Sequence, residues 1–236
     1  MDKSILKLIS NALKEDVKSG DITTKATIRK SKKAVGKFLV KADGVIAGLE
    51  IAKAVFKSID SKTKFEIKIK DGSKVKYGDV AAIVAGKAQS LLTAERTALN
   101  FLQRMSGIAT SANNYTEKVK HTNAKVIDTR KTVPGLRNLD KLAVKLGGCE
   151  NHRIGLYDMF LIKDNHIEVA GSITKAVDDC KKYKKKNHTK FKIEVETKNL
   201  KEVEEAIKTK ADIIMLDNFD IEEMKKAVHL INGKCK

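Results

Sequence analysis

The chain of 236 residues carries 48 Lys and Arg against 30 Asp and Glu, a formal net charge of +18, and 42% of it is apolar. That apolar share can bury a sizeable core, as one large domain or two small ones, and argues against disorder. No apolar run reaches the roughly 18 to 20 residues of a membrane span, and the start, MDKSILKLIS, lacks the long apolar stretch of a signal peptide, so the expected address is the cytosol. Cys149, Cys180 and Cys235 are an odd number of scattered cysteines, expected as plain thiols rather than a disulfide framework.

So basic a chain first suggests nucleic acid, because clustered Lys and Arg are the footprint of phosphate-backbone binding. The lysines, however, spread along almost the whole length, aromatics are 5% of the chain, and no recognition motif is present, so nucleic acid is not the expected partner. Lysine is the default surface residue here, which makes the six arginines informative: five of them, Arg96, Arg104, Arg130, Arg137 and Arg153, lie between positions 96 and 153, and only Arg29 lies outside. A guanidinium offers a fixed bidentate fork for carboxylate or phosphate that an ammonium cannot reproduce.

Residues 3 to 14 place Ile5, Leu6, Ile9 and Leu13 at helical spacing, and Phe65, Ile67 and Ile69 alternate with charged residues as in a half-buried strand. Asp43-Gly44 and Asp71-Gly72 supply turns. From about Leu91 to Lys120 the pattern is helical, with Ala94, Ala98, Phe101, Leu102 and Met105 on one side. The expected division is an N-terminal α+β domain over 1–110 with a helical lead, then a domain over 111–236. From position 124 short apolar runs alternate with amphipathic stretches, the sign of βα units and a parallel sheet. The runs AKVIDT, MFLIKD, KFKIEVE and ADIIMLD end at Asp128, at Lys163 and Asp164, at Glu196 and at Asp217. Charges recurring at the C-terminal ends of parallel strands are the mark of the active rim of an α/β barrel. The intervening stripes are Ile173, Ala176, Val177 and Cys180; Leu200, Val203, Ala206 and Ile207; and Ile221, Met224, Ala227, Val228 and Ile231. The run KKYKKK at 181–186 reads as a solvated helix end.

Within DTRKTVPGLR the chain's one proline, Pro134, and Gly135 stiffen a loop that presents Arg130 and Lys131, two cations suited to grip an anion. GGCENHR carries His152 and Arg153 on the next loop; its Cys149 and His152 lack the second ligand pair of a zinc site. Arg96, Arg130, His152, Arg153 and Lys163 together suit a dianion. Glu196 and Asp217 would repel such a substrate, so their expected partners are a hard cation such as Mg²⁺, sugar hydroxyls or a developing positive charge.

The stretches ERTALNFLQRMSGIAT, DTRKTVPGLR, GGCENHRIGLYDMFLIKDNHI, IEVE and IIMLDN, with GDITT near the start, closely resemble quinolinate phosphoribosyltransferase, also called nicotinate-nucleotide pyrophosphorylase, in order and in spacing. The resemblance implies an N-terminal α+β domain followed by a parallel α/β barrel-type domain. It implies attack of quinolinate on C1 of phosphoribosyl pyrophosphate, release of pyrophosphate with Mg²⁺ assistance, and loss of CO2 to give nicotinate mononucleotide. By the family pattern Arg130, His152, Arg153 and Lys163 hold the quinolinate carboxylates, with Arg96 supplied by the neighbouring subunit of a homodimer or higher homo-oligomer. Lys131 faces phosphoribosyl pyrophosphate, and Glu196 and Asp217 lie near ribose and metal; Lys131, Glu196 and Asp217 are the expected catalytic residues. A molybdenum-transport-associated paralogue of the same family is the alternative, and the complete arginine and lysine set speaks against it.

The family continues through Glu-x-Ser-Gly and Gly-Ala-Leu-Thr type segments that cradle the ribose 5-phosphate, and these do not occur in the sequence, which ends at INGKCK. Residues 111–236 number 126, whereas an eight-stranded barrel takes about 250. The barrel is therefore expected to be incomplete at its C-terminal end, the natural polypeptide to run past Lys236 with at least two more βα units, and the 236-residue chain to hold quinolinate better than phosphoribosyl pyrophosphate.

Overall fold

A computed structural model describes residues 2–235, and Cα packing groups the chain into two compact units that divide between His152 and Arg153. The sequence-based division at 110/111 falls inside a helix of the first unit.

That unit opens with α1 (Lys3–Val17), capped by Asp2, whose carboxylate accepts from Ser4 N at 2.7 Å, and α2 (Ile22–Thr27), capped in the same way by Asp21. β1 (Lys33–Leu39), β5 (Val80–Lys87) and β3 (Lys64–Ile67) form an antiparallel sheet in the order β1-β5-β3, and β2 (Gly44–Val45) pairs with β4 (Lys74–Val75). α3 (Leu49–Ile59) starts where Asp71 accepts from Leu49 N at 3.0 Å, so the second expected Asp-Gly turn also caps a helix. Phe38, Phe56 and Phe65 meet at centroid distances of 5.4 to 5.9 Å and anchor the core under the sheet.

The expected helix from Leu91 is α4 (Ala88–Val119), and it buries Ala94, Ala98, Phe101, Leu102 and Met105 as the periodicity predicts. α5 (Arg137–Leu146) packs on it, joined by a two-pronged ion pair in which Arg104 Nε and Nη2 each donate to Asp140 at 2.8 Å. The two helices approach so closely where α5 ends that a Cβ on Gly147 would lie 2.3 Å from Ala109 O, so only glycine fits there. One strand expectation is corrected: AKVIDT makes a single parallel bridge, Ile127 to Glu150, and is no strand, because pairing stops where Asp128 turns its carboxylate to other partners.

The second unit holds β6 (Phe160–Ile162), β7 (Ile193–Thr197) and β8 (Ile213–Leu216), parallel and in that order, alternating with α6 (Asp164–Ala170), α7 (Ile173–Lys186), α8 (Leu200–Thr209) and α9 (Ile221–Ile231). Ser172, Asn199 and Asp220 cap α7, α8 and α9 with side-chain bonds of 3.1, 2.9 and 2.8 Å. Ile162, Ile193, Val195 and Ile214 pack against Ile173, Ala176, Val177, Val203, Ala206, Ala227 and Ile231. The stripes on α7 and α8 face the core as expected, with Ile173, Ala176, Val177, Val203 and Ala206 buried and Cys180, Leu200 and Ile207 half-buried, but on α9 only Ala227 and Ile231 are buried, while Ile221, Met224 and Val228 stay exposed. Among the described residues no helix is long and apolar enough to cross a membrane, and the three cysteines are free.

Candidate active site

Of the expected site residues, Arg96, Arg130, Lys131 and His152 belong to the first unit and Arg153, Lys163, Glu196 and Asp217 to the second. Each set is built differently.

In the first unit, Val133 to Leu136 form a β-turn closed by Leu136 N donating to Val133 O at 3.0 Å. Pro134 fixes its second position and Gly135, at φ +82°, takes the left-handed third position that a side chain would resist. Before the turn Lys131 N donates to Thr129 Oγ1 at 3.1 Å and Thr132 N to Arg130 O at 2.9 Å; after it Arg137 Nε donates to Thr132 Oγ1 at 3.1 Å. The loop is therefore fixed by its own bonds, as Pro-Gly led one to expect. Arg130 Nε is buried and has no hydrogen-bond partner among the described residues. A buried unpaired donor is costly, which makes it a place prepared for an acceptor. Lys131 is exposed beside it.

His152 is held through its backbone. Its N–H donates to Asp128 Oδ1 at 2.8 Å and its carbonyl accepts from Lys141 Nζ at 3.0 Å, while Lys141 also pairs with Asp128 Oδ1. With its amide turned to donate, Asn151 adds bonds to Asp128 Oδ2 at 2.9 Å and Lys141 O at 3.0 Å. Lys141 is 2% exposed, one of the largest fully buried side chains. Asp128, expected as a rim charge, is thus the centre of a buried knot that positions His152. Lys141 was not singled out by the sequence; its only signal is a lysine beside Leu139 and Ala143 on the buried face of α5. Arg96 stands on the exposed side of α4, eight residues and thus about 12 Å along the helix from Arg104.

In the second unit the register carries the argument. Leu161 aligns with Glu194 and Ile162 with Val195 across β6 and β7, and Glu196 aligns with Met215 across β7 and β8. Since side chains alternate, Lys163, Glu196 and Asp217 fall on one face at adjacent strand ends, opposite the face that meets the helices. Lys163 Nζ donates to Glu196 Oε2 at 2.8 Å. Asp217 N donates to Thr197 O at 2.9 Å, and its carboxylate accepts from Asn218 at 3.2 Å. Glu196 and Asp217 line a cleft of about 320 Å³ with Asp164, Glu168, Lys198 and Glu202. On the same face as Glu196 lies Glu194, 3% exposed, a buried carboxylate whose position the IEVE alternation implies but which sequence reasoning passed over. Arg153 Nη1 donates to Met159 O at 3.3 Å, inside a short loop closed by Asp158, which accepts from Ile154 N at 2.8 Å and Gly155 N at 3.0 Å. Burial pushes the Asp158 carboxyl up, but the backbone donors and the Arg153 charge outweigh it and hold it below the usual carboxylate range.

Among the described residues no group of three or more His, Cys, Asp or Glu can hold a metal ion. Glu196 and Asp217 are two hard oxygen donors in one cleft, which fits an ion such as Mg²⁺ that binds one or two carboxylates and fills its remaining positions with water and phosphate.

Residues 21–106 match the quinolinate phosphoribosyl transferase N-terminal domain and residues 108–236 the C-terminal domain. The quinolinate phosphoribosyltransferase [decarboxylating] 1b of Nicotiana tabacum is 42% identical over 243 residues, covering 96% of this chain and 69% of the relative. The chloroplastic nicotinate-nucleotide pyrophosphorylase [carboxylating] of Arabidopsis thaliana is 42% identical over 248 residues, covering 98% of this chain and 70% of the relative. The crystal structure of NadC from Streptococcus pyogenes superimposes with a TM-score of 0.93 at 40% identity, over 98% of this chain and 80% of that one. A loop built to present Arg130, a pinned His152, and strand ends carrying Lys163, Glu196 and Asp217 thus occur in a chain that belongs to the quinolinate phosphoribosyltransferase family.

Proposed function

We propose that this protein transfers the phosphoribosyl group of phosphoribosyl pyrophosphate to quinolinate and releases pyrophosphate and CO2, giving nicotinate mononucleotide for NAD biosynthesis. The observation that carries the reading at the level of residues is the buried, unpartnered Nε of Arg130 on a loop held rigid by its own hydrogen bonds. A guanidinium carried on a loop that is already ordered takes a carboxylate in two parallel bonds with little reordering of the backbone.

In this reading Arg130, His152, Arg153 and Lys163 hold the two carboxylates of quinolinate and aim its ring nitrogen at C1 of the ribose. Bond formation to C1 and departure of pyrophosphate leave positive charge on the ribose in the transition state, which the Glu196 and Asp217 carboxylates stabilise. Lys163 is bound to Glu196 in the free protein, and a substrate carboxylate that captures the ammonium releases Glu196 toward the sugar. Nitrogen alkylation makes the ring cationic; the adjacent carboxylate then leaves as CO2, its electron pair stays on the ring carbon, and a proton from solvent completes the product. Mg²⁺, held by Glu196 and Asp217, would neutralise the departing pyrophosphate. Lys131, exposed and with no side-chain partner among the described residues, faces the phosphoribosyl donor.

Arg96 has no side-chain partner among the described residues either and lies on the exposed side of α4, which supports its supply to a neighbouring subunit and hence a homodimer. Three free thiols support a reducing, cytosolic address. The test is to incubate the protein with quinolinate, phosphoribosyl pyrophosphate and Mg²⁺ and follow nicotinate mononucleotide and CO2 together. Equal amounts of both are expected; a folded, quinolinate-binding protein that yields neither overturns the proposal.

A further inference from the structure

The outer face of the β1-β5-β3 sheet carries a groove of about 610 Å³ that shares no lining residue with the site described above. Antiparallel pairing sets Lys33 of β1 directly opposite Lys87 of β5, and Lys64 of β3 opposite Ala85. Alternation along the strands puts Lys33, Lys87 and Lys64 on one face, and Lys62, from the turn before β3, joins them in the lining. The floor between them is small and apolar, with Val35 opposite Ala85 and Gly86 next to it.

Like charges directly opposite across a strand pair weaken a sheet. Here none of the four ammonium groups lies within ion-pair distance of a carboxylate among the described residues, and the charges of Lys87 and Lys62 act on Asp60 only from farther away. The one carboxylate in the groove, Asp60, is already engaged: it accepts from Lys62 N at 3.0 Å and from the Ser90 hydroxyl at 3.2 Å. Glu66, next along the same face of β3, is tied to Lys68. Four ammonium groups therefore converge on a concave surface with one engaged carboxylate among them, and the field of such an arrangement concentrates anions.

We propose that this groove binds a small polyanion carrying clustered phosphates. A single carboxylate would leave most of the repulsion in place, whereas adjacent phosphates present several charges at the spacing of the lysines, and compact ammonium groups suit phosphate as point charges. The volume is that of a small-ligand site. Inorganic polyphosphate and the polyphosphate tail of a nucleotide share the required chemistry.

The test is calorimetric titration of the protein with inorganic tripolyphosphate, ATP and inorganic phosphate at about 0.1 M salt, where diffuse surface attraction is largely screened. Binding of tripolyphosphate is expected, lowered about tenfold or more in Lys33→Gln/Lys87→Gln, since two charge-assisted contacts are lost. It is expected to be unchanged in Lys175→Gln/Lys201→Gln, on exposed helix faces of the second unit. ATP binding as tightly as tripolyphosphate supports a free or carried polyphosphate; ATP binding more tightly supports a nucleotide. Without ligand, Lys33→Gln/Lys87→Gln should melt at or above the parent temperature, because a repulsion is gone. Equal loss in the two double variants, binding of a single-stranded oligonucleotide alone, or a lowered unliganded melting temperature in Lys33→Gln/Lys87→Gln each overturns the proposal.

Discussion

Replacing Asp128 by alanine tests the claim that the loop bearing His152 is organised from below. The carboxylate is the common acceptor for the buried Lys141 ammonium, His152 N–H and the Asn151 amide, so its removal leaves a cation that is 2% exposed with the His152 carbonyl as its one remaining partner among the described residues. Breaking a buried pair by deleting one member costs about 3 to 5 kcal/mol, against a total stability of about 5 to 15 kcal/mol. For a chain of this size that corresponds to a fall in melting temperature of about 6 to 20 °C. Lys141→Met should cost a similar amount. The double variant Asp128→Ala/Lys141→Met should lose far less than the sum, because no isolated charge remains in the interior. Quinolinate binding should not recover with it, since His152 N–H still lacks its acceptor. Urea denaturation of the parent, both single variants and the double variant gives the coupling, and calorimetry gives the binding. An Asp128→Ala protein within about 1 kcal/mol of the parent would refute the reasoning, because that is the size of a surface ion pair.

Arg130→Lys keeps the charge and removes the two-pronged fork, so quinolinate affinity should fall about tenfold or more in calorimetry; near-parent affinity would take Arg130 out of the pocket. Arg96→Ala and Lys163→Ala should each be inactive, and mixing their subunits should restore part of the activity, whereas no recovery despite proven exchange would mean Arg96 acts within its own chain. Glu117 is bonded to Lys120 at 2.6 Å and Lys74 at 2.9 Å, which pull its carboxyl down to about 2 from an ordinary 4.5. A depressed acid contributes stability above its unfolded value and loses it as pH falls through the folded one, so the contribution should fade between about 4.5 and 2. NMR titration of Glu117 should give a midpoint below 4.5 that returns toward it in about 1 M salt, and an ordinary midpoint at low salt would show that neither pair persists.

The sequence by itself determined the elements whose pattern is local. The 3.6-residue stripes of α4, α7 and α8 and the apolar runs of β6, β7 and β8 are set by which residues must leave water, and the structure has them where the periodicity puts them. The stiff turn at Pro134-Gly135 was equally legible, because φ preferences belong to single residues. So was the family, carried by several motifs in fixed order. Contacts between distant residues were decided only by tertiary structure. AKVIDT has the composition of a strand yet pairs once, since Asp128 is drawn to Lys141 and His152, 13 and 24 positions away. Lys141 reads as one more surface lysine in a chain rich in them, and only burial against Asp128 gives it a role. The α9 stripe marks Ile221, Met224 and Val228 as apolar without stating whether anything covers them, and periodicity cannot supply a neighbour. The approach of Lys163 to Glu196 and the opposition of Lys33 to Lys87 depend on strand order and register, which long-range pairing fixes and local spacing does not encode.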